Sequence, residues 1–110
     1  MKVRLIKRKS IVDFAFQNAR SKNSFRLWLT ILKQASWSQP GDINATFGSA
    51  DLLGNGSNRV VFDIAGNNYR MICKYHFGLT RVHLYIKWIG THAEYTELCN
   101  NGKQYSVNIF

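Results

Sequence analysis

Between Arg59 and Tyr95 the chain reads RVVFDIAGNNYRMICKYHFGLTRVHLYIKWIGTHAEY. Two turn signals, Ala65-Gly66-Asn67-Asn68 and Phe77-Gly78-Leu79-Thr80, divide it into three runs of alternating apolar and polar residues. Successive side chains of a strand point to opposite faces, so alternation sorts residues by face. One parity collects Val60, Phe62, Ile64, Tyr69, Met71, Cys73, Tyr75, Val82, Leu84, Ile86 and Trp88. The other collects Arg59, Asp63, Arg70, Lys74, His76, Arg81, His83, Tyr85 and Lys87, with Val61 and Ile72 among them. The segment predicts three antiparallel strands with a core face and a cationic face, and the cationic face is the expected working surface.

The turns set a register. A two-residue loop with Gly66-Asn67 at its centre places Asp63 opposite Arg70, Val61 opposite Ile72 and Arg59 opposite Lys74. A second loop centred on Gly78-Leu79 places Arg70 opposite Lys87, Ile72 opposite Tyr85, Lys74 opposite His83 and His76 opposite Arg81. Both pairings keep the split, because a one-residue slip would bury the charges. Like charges facing one another destabilise a strand pair. A sequence that retains them is using them.

The preceding half predicts a cover for the apolar face. Val3–Ile6 is a short strand, and Lys2, Arg4 and Lys7 around it mark a sheet edge. Ser10 is positioned to cap a helix over residues 11–21, with Ile11, Phe14, Ala15 and Ala19 on one face. A second helix, over residues 24–35, carries Phe25, Leu27, Trp28, Ile31, Leu32 and Ala35 in a broad stripe. A break this short between them predicts a helical hairpin. Residues 36–58 are rich in turn formers, with Phe47, Leu52 and Leu53 as anchors and Asp42 as the cap of a short helical turn. A loop of that length in a small domain is usually functional or ordered by a partner. At the other end, Thr91 and Glu94 form the capping box T-x-x-E of a last helix, over residues 92–98, that brings His92 and Tyr95 onto one face. Residues 100–110 alternate weakly, as either a further strand or a flexible tail.

The chain's 110 residues support one domain, residues 1–110, of the α+β class: an N-terminal strand and helical hairpin packed on an antiparallel sheet, with a short C-terminal helix. Fifteen Lys and Arg against six Asp and Glu leave a net charge of +9, which calls for an anionic partner. No apolar run approaches the roughly 18–20 residues of a membrane span, and the basic N-terminus has no leader-like apolar segment. Cys73 and Cys99 lack metal-ligand spacing and fit structural thiols of a cytoplasmic protein. No cofactor or metal site is expected.

Three blocks, WSQPGDINATFGSADLLGN (Trp37–Asn55), RVVFDIAGNNYRMICKYHF (Arg59–Phe77) and VHLYIKWIGTHAEY (Val82–Tyr95), resemble the HigB family of bacterial type II toxin–antitoxin systems, within the RelE-like superfamily. The resemblance spans roughly residues 2–99 and rests on order and spacing as well as residue type. Thr96 stands where the last block usually carries Asp, and Asp63 where Asn is common. The resemblance implies a RelE-like fold and an endoribonuclease, or mRNA interferase, that cuts mRNA on translating ribosomes. It also implies a HigA-type helix-turn-helix antitoxin as partner, with operator DNA bound only through the complex, and no association with membrane.

RNA cleavage by its own 2′-hydroxyl needs a base, an acid and cations to stabilise the phosphorane, and no metal. Arg70 is the expected phosphate stabiliser, because guanidinium matches phosphate bidentately, with Asp63 orienting it. Lys87 is a cation or a base, His92 a candidate acid or base, and Tyr95 a proton donor or a ring for a nucleobase to stack on. Arg59, Lys74, His76, Arg81, His83 and Tyr85 are expected to hold RNA. The same face is compatible with a non-catalytic RNA or ribosome binder, or with a gyrase-inhibiting relative.

Overall fold

The computed structural model describes residues 1–110. In chain order it contains β1 (Lys2–Ile6), α1 (Arg8–Gln17), a 3-10 turn (Ala19–Ser21), α2 (Lys22–Gln34), α3 (Gly41–Thr46), β2 (Asp51–Leu52), β3 (Arg59–Ile64), β4 (Tyr69–Phe77), β5 (Arg81–Thr91) and α4 (His92–Asn100). One five-stranded sheet runs in the order β1-β5-β4-β3-β2. The class is α+β, as expected. The sheet is mixed, because β1 joins the β5 edge in parallel while all other pairs are antiparallel.

Helix α1 starts earlier than its apolar pattern suggests. Lys7 takes a left-handed conformation at φ 68° and makes no side-chain cap, so the helix begins at Arg8 and Ser10 lies inside it. Helix α2 buries Phe25, Trp28 and Leu32 at helical spacing, with Leu29 half-buried beside them. Its stripe is narrower than the sequence implies, and Leu27 is 61% exposed. Ile11, Phe25, Trp28 and Leu32 pack with Val60, Phe62, Ile64, Met71, Cys73, Val82, Leu84 and Ile86 in the main core. The core parity of β3 and β4 is therefore as read.

Residues 36–58 are ordered by the chain itself and contribute to that core. Trp37 and Ile43 are fully buried, and the Trp37 indole N–H donates to Thr46 Oγ1 at 2.8 Å. Phe47 stacks on Trp28 and meets Phe62 edge-on. The Asp42 carboxylate accepts from the amides of Ser38 and Gln39, which fixes the turn before α3 and caps no helix. Strand β2 then pairs with β3.

The β3–β4 register is as predicted, with Asp63 opposite Arg70 and Arg59 opposite Lys74. The β4–β5 register is not. Its loop centres on Leu79-Thr80, closed by the Gly78 amide donating to the Arg81 carbonyl. Lys74 thus faces Tyr85, and His76 faces His83. A bulge follows: Cys73 pairs with Ile86 but Ile72 pairs with Trp88, leaving Lys87 as the extra residue. A bulge resets which face follows it. Ile89 accordingly enters the main core, and Trp88, expected there, lies on the opposite face. Arg70 comes to face Gly90, not Lys87.

On that second face Trp88, Val61 and Ile72 form a small apolar cluster closed by Leu53, by Tyr95 and Leu98 of α4, and by Val107. The C-terminal segment is neither a strand nor a free tail. The Ile109 amide donates to the Lys87 carbonyl at 3.0 Å, and the segment lies across the sheet. Gly90 is required here by space: a Cβ at this position would collide with the Trp88 indole ring. Gly90→Ala should destabilise the fold by about 1–3 kcal/mol through overpacking. Equilibrium urea denaturation followed by tryptophan fluorescence checks this, and an unchanged midpoint would show that the indole is free to move aside.

Candidate nucleic-acid interface

The bulge and the covering helix divide the second face into two places. At the α4 end, Arg70 is buried and each of its three guanidinium nitrogens has a partner. Nε lies 3.1 Å from Asp63 Oδ1, Nη1 donates to the Tyr69 carbonyl at 3.2 Å, and Nη2 donates to Asn67 Oδ1 at 3.0 Å. Asp63 thus forms an ion pair with Arg70 across the two strands, and Asn67 of the turn holds the same guanidinium. The turn is also tied to α4, because the His92 amide donates to the Asn68 carbonyl.

The capping box at the start of α4 is complete. Thr91 Oγ1 accepts from the Glu94 amide and Glu94 Oε1 accepts from the Thr91 amide. Thr96 Oγ1 donates to the His92 carbonyl, so this hydroxyl serves the helix's first turn. His92 is exposed at the helix start, while Tyr95 is half-buried against Trp88, with ring centroids 6.1 Å apart. Burial pushes the Tyr95 phenol well above its usual range, and the Cys99 thiol and the Asp51 charge push the same way while Arg70 opposes. A phenol so placed is a hydrogen-bond donor and not a base.

At the open end, Lys74, His76, His83, Tyr85 and Lys87 lie together on β4 and β5. The His76 and His83 rings stack nearly parallel at 6.2 Å, and His83 sits 6.3 Å from Tyr85. Lys87 Nζ lies over the Tyr85 ring, 5.6 Å from its centroid. Burial lowers the Lys87 amine below the ordinary lysine range, and the positive charges of Arg59, Lys74 and Lys7 lower it further. Register with β1 aligns Lys2 with Arg81 and Arg4 with His83, which carries the basic surface to the sheet edge. Arg81 is exposed at the hairpin tip.

Two expected groupings change. Lys87 belongs with Lys74 and Tyr85, not with Arg70, because of the shifted register and the bulge. Arg59 is only 5% exposed and donates through Nη1 to the carbonyls of Val107 at 2.7 Å and Gln104 at 3.3 Å. Its guanidinium thus fastens the C-terminal segment, and burial lowers its pKa. Sequence reasoning missed Asn67, Trp88 and this segment. Val61 and Ile72, two apolar residues on a charged parity, were the available sign that something covers the face.

Cys73 is fully buried, and burial pushes its thiol up and keeps it inert. No group of three or more His, Cys, Asp or Glu is arranged to hold a metal ion, and no helix is long and apolar enough to cross a membrane.

Arg59→Met should leave two tail carbonyls without their charged donor, at a cost of about 1.5–3 kcal/mol. Hydrogen exchange checks this: amides at residues 107–109 should lose protection while those of α1 and α2 keep theirs. Unchanged protection would mean that Val107 alone holds the segment.

No individual curated protein matches the chain. A family model does, across residues 21–98, from the 3-10 turn before α2 to the last turn of α4, and so over most of the chain and all of the central hairpins. The chain therefore belongs to the HigB toxin family, the RelE-like toxic component of a toxin–antitoxin system.

Proposed function

We propose that this toxin is an endoribonuclease that cuts mRNA on translating ribosomes, without a metal, and is neutralised by a HigA-type helix-turn-helix antitoxin. What carries the reading is the desolvated lysine set among cations and aromatic rings on an open strand face. Lys87 has Lys74 nearby and Tyr85 beneath its amine. RNA supplies phosphates for the cations and flat bases for the rings.

The chemistry follows from those properties. A lysine whose pKa is lowered is neutral more often at a given pH, so Lys87 can accept the 2′-hydroxyl proton. The 2′-oxygen then bonds to the adjacent phosphorus and the bond to the 5′-oxygen breaks. That leaves a 2′,3′-cyclic phosphate and, once an acid donates a proton, a free 5′-hydroxyl. Lys74 offsets charge on the phosphorane, and Arg70, held by Asp63 and Asn67, adds a fixed positive field rather than a free fork. His92, exposed at the start of α4, is the acid, and Tyr95 donates a hydrogen bond or stacks on a base. His76, Arg81, His83 and Tyr85 hold the strand, and Arg59 acts only through the segment it fastens.

Primer extension on mRNA from induced cells tests the activity. Discrete, translation-dependent cuts are expected, whereas growth arrest with intact mRNA would exclude the nuclease. The role of Lys87 is tested separately, by single-turnover cleavage against pH on programmed ribosomes. The wild-type rate should rise with pH and level off below the ordinary lysine pKa of about 10.4. Lys87→Arg, cationic throughout, should lose that rising limb and at least about a hundredfold in rate. The same profile in the variant would remove Lys87 as the base.

A further inference from the structure

Lys87 is the only residue of β5 in register with neither neighbouring strand. On one side the bulge passes it over. On the other side β1 stops short: Ile6 pairs with Tyr85, and Lys7 then turns the chain away into α1. The C-terminal segment takes up the empty place. Val107 packs on the apolar cluster of the second face, and Phe110 packs against the main core on the first. The segment therefore crosses the edge of the sheet between them. At the crossing the Ile109 amide donates to the Lys87 carbonyl at 3.0 Å. Behind it the segment is held at two further points. The Lys103 amide donates to the Leu98 carbonyl at the end of α4, and Arg59 donates to the carbonyls of Gln104 and Val107.

We propose that residues 101–110 form a strap that fixes the bulge of β5, with Arg59 and the Ile109 amide as positioning groups for the Lys87 side chain. The proposal deepens the nuclease reading and rests on Lys87 as its base. A bulge can aim its extra side chain only while its own backbone is held. Here the aim matters, because the amine must stay over the Tyr85 ring, 5.6 Å from its centroid. A misplacement of about 1 Å at a reacting group can cost about a hundredfold in rate. Arg59 bears on Lys87 in a second way. Burial is the first cause that lowers the Lys87 amine, and among the charges Arg59 on β3 comes first, ahead of Lys74 on β4 and Lys7 before α1. The anchor of the strap and the leading charge on the base are thus one side chain. Releasing the strap frees the bulge, opens Lys87 to water and lets its amine climb toward the ordinary lysine range. Fewer molecules then carry the free amine at neutral pH, and cleavage slows.

The test is Ile109→Pro in the full-length toxin. Proline has no N–H, so the donor is removed and no charge is touched. The Ile109 side chain is 58% exposed, and an unchanged thermal melt establishes that the variant folds. Two readouts are taken. The first is the titration of the Lys87 side chain by NMR without RNA, its signal identified by its loss in Lys87→Arg. In the wild type the midpoint should lie below the ordinary lysine pKa of about 10.4, and in Ile109→Pro it should move up toward it. The second is single-turnover cleavage on programmed ribosomes. The rate at neutral pH should fall at least about tenfold and the rising limb should move to higher pH. Ile109→Val, which restores the N–H, should recover both. An unchanged Lys87 titration in Ile109→Pro would overturn the proposal, whether or not the rate falls. If the titration moves as expected and the wild type cuts no mRNA, the strap stands and only the nuclease reading fails.

Discussion

The second face of the sheet is shaped by one extra residue in β5. Lys87 has no partner on β4, so everything beyond it changes side. Without the bulge Trp88 would point into the main core and Ile89 out of it. With it, a tryptophan lies over Gly90 on the charged face, and something must cover an indole of that size. α4 and the C-terminal segment do so, which fixes where His92 and Tyr95 stand. The bulge also turns the extra side chain, that of Lys87, toward Tyr85. Bulges commonly re-aim a side chain in this way beside functional sites.

The consequence is a face with two characters. At the α4 end Arg70 is so well satisfied by Asp63, Asn67 and a carbonyl that its charge is locked in place. At the open end the cations have no carboxylate partner, and burial, with their repulsion added to it, lowers the Lys87 pKa. Repulsion of this kind is a cost to the free protein that binding of a polyanion relieves. The other large share of the charge lies on β1, α1 and α2.

Much of this was legible from residue order. The alternation of β3 and β4, their register through the Gly66 turn, and the Thr91–Glu94 capping box all rest on local rules, and each stands in the structure. The resemblance to HigB toxins also reached the right family. The bulge was not legible, because a single strand can absorb an extra residue without any change in its composition. The Gly78 turn misled for a related reason: a loop centred on either Gly78-Leu79 or Leu79-Thr80 preserves parity, so patterning cannot choose between them. Arg59 reads as one more surface cation, and only the fold brings a segment 45–48 residues away onto it.

RNA is proposed to bind at the open end of the strand face, around Lys87. The most direct measurement is an amide chemical-shift titration of the toxin with a short single-stranded RNA. Shifts should concentrate at Lys74, His76, His83, Tyr85 and Lys87 and weaken steeply with added salt. Shifts concentrated in α1 and α2, with β4 and β5 unmoved, would contradict it.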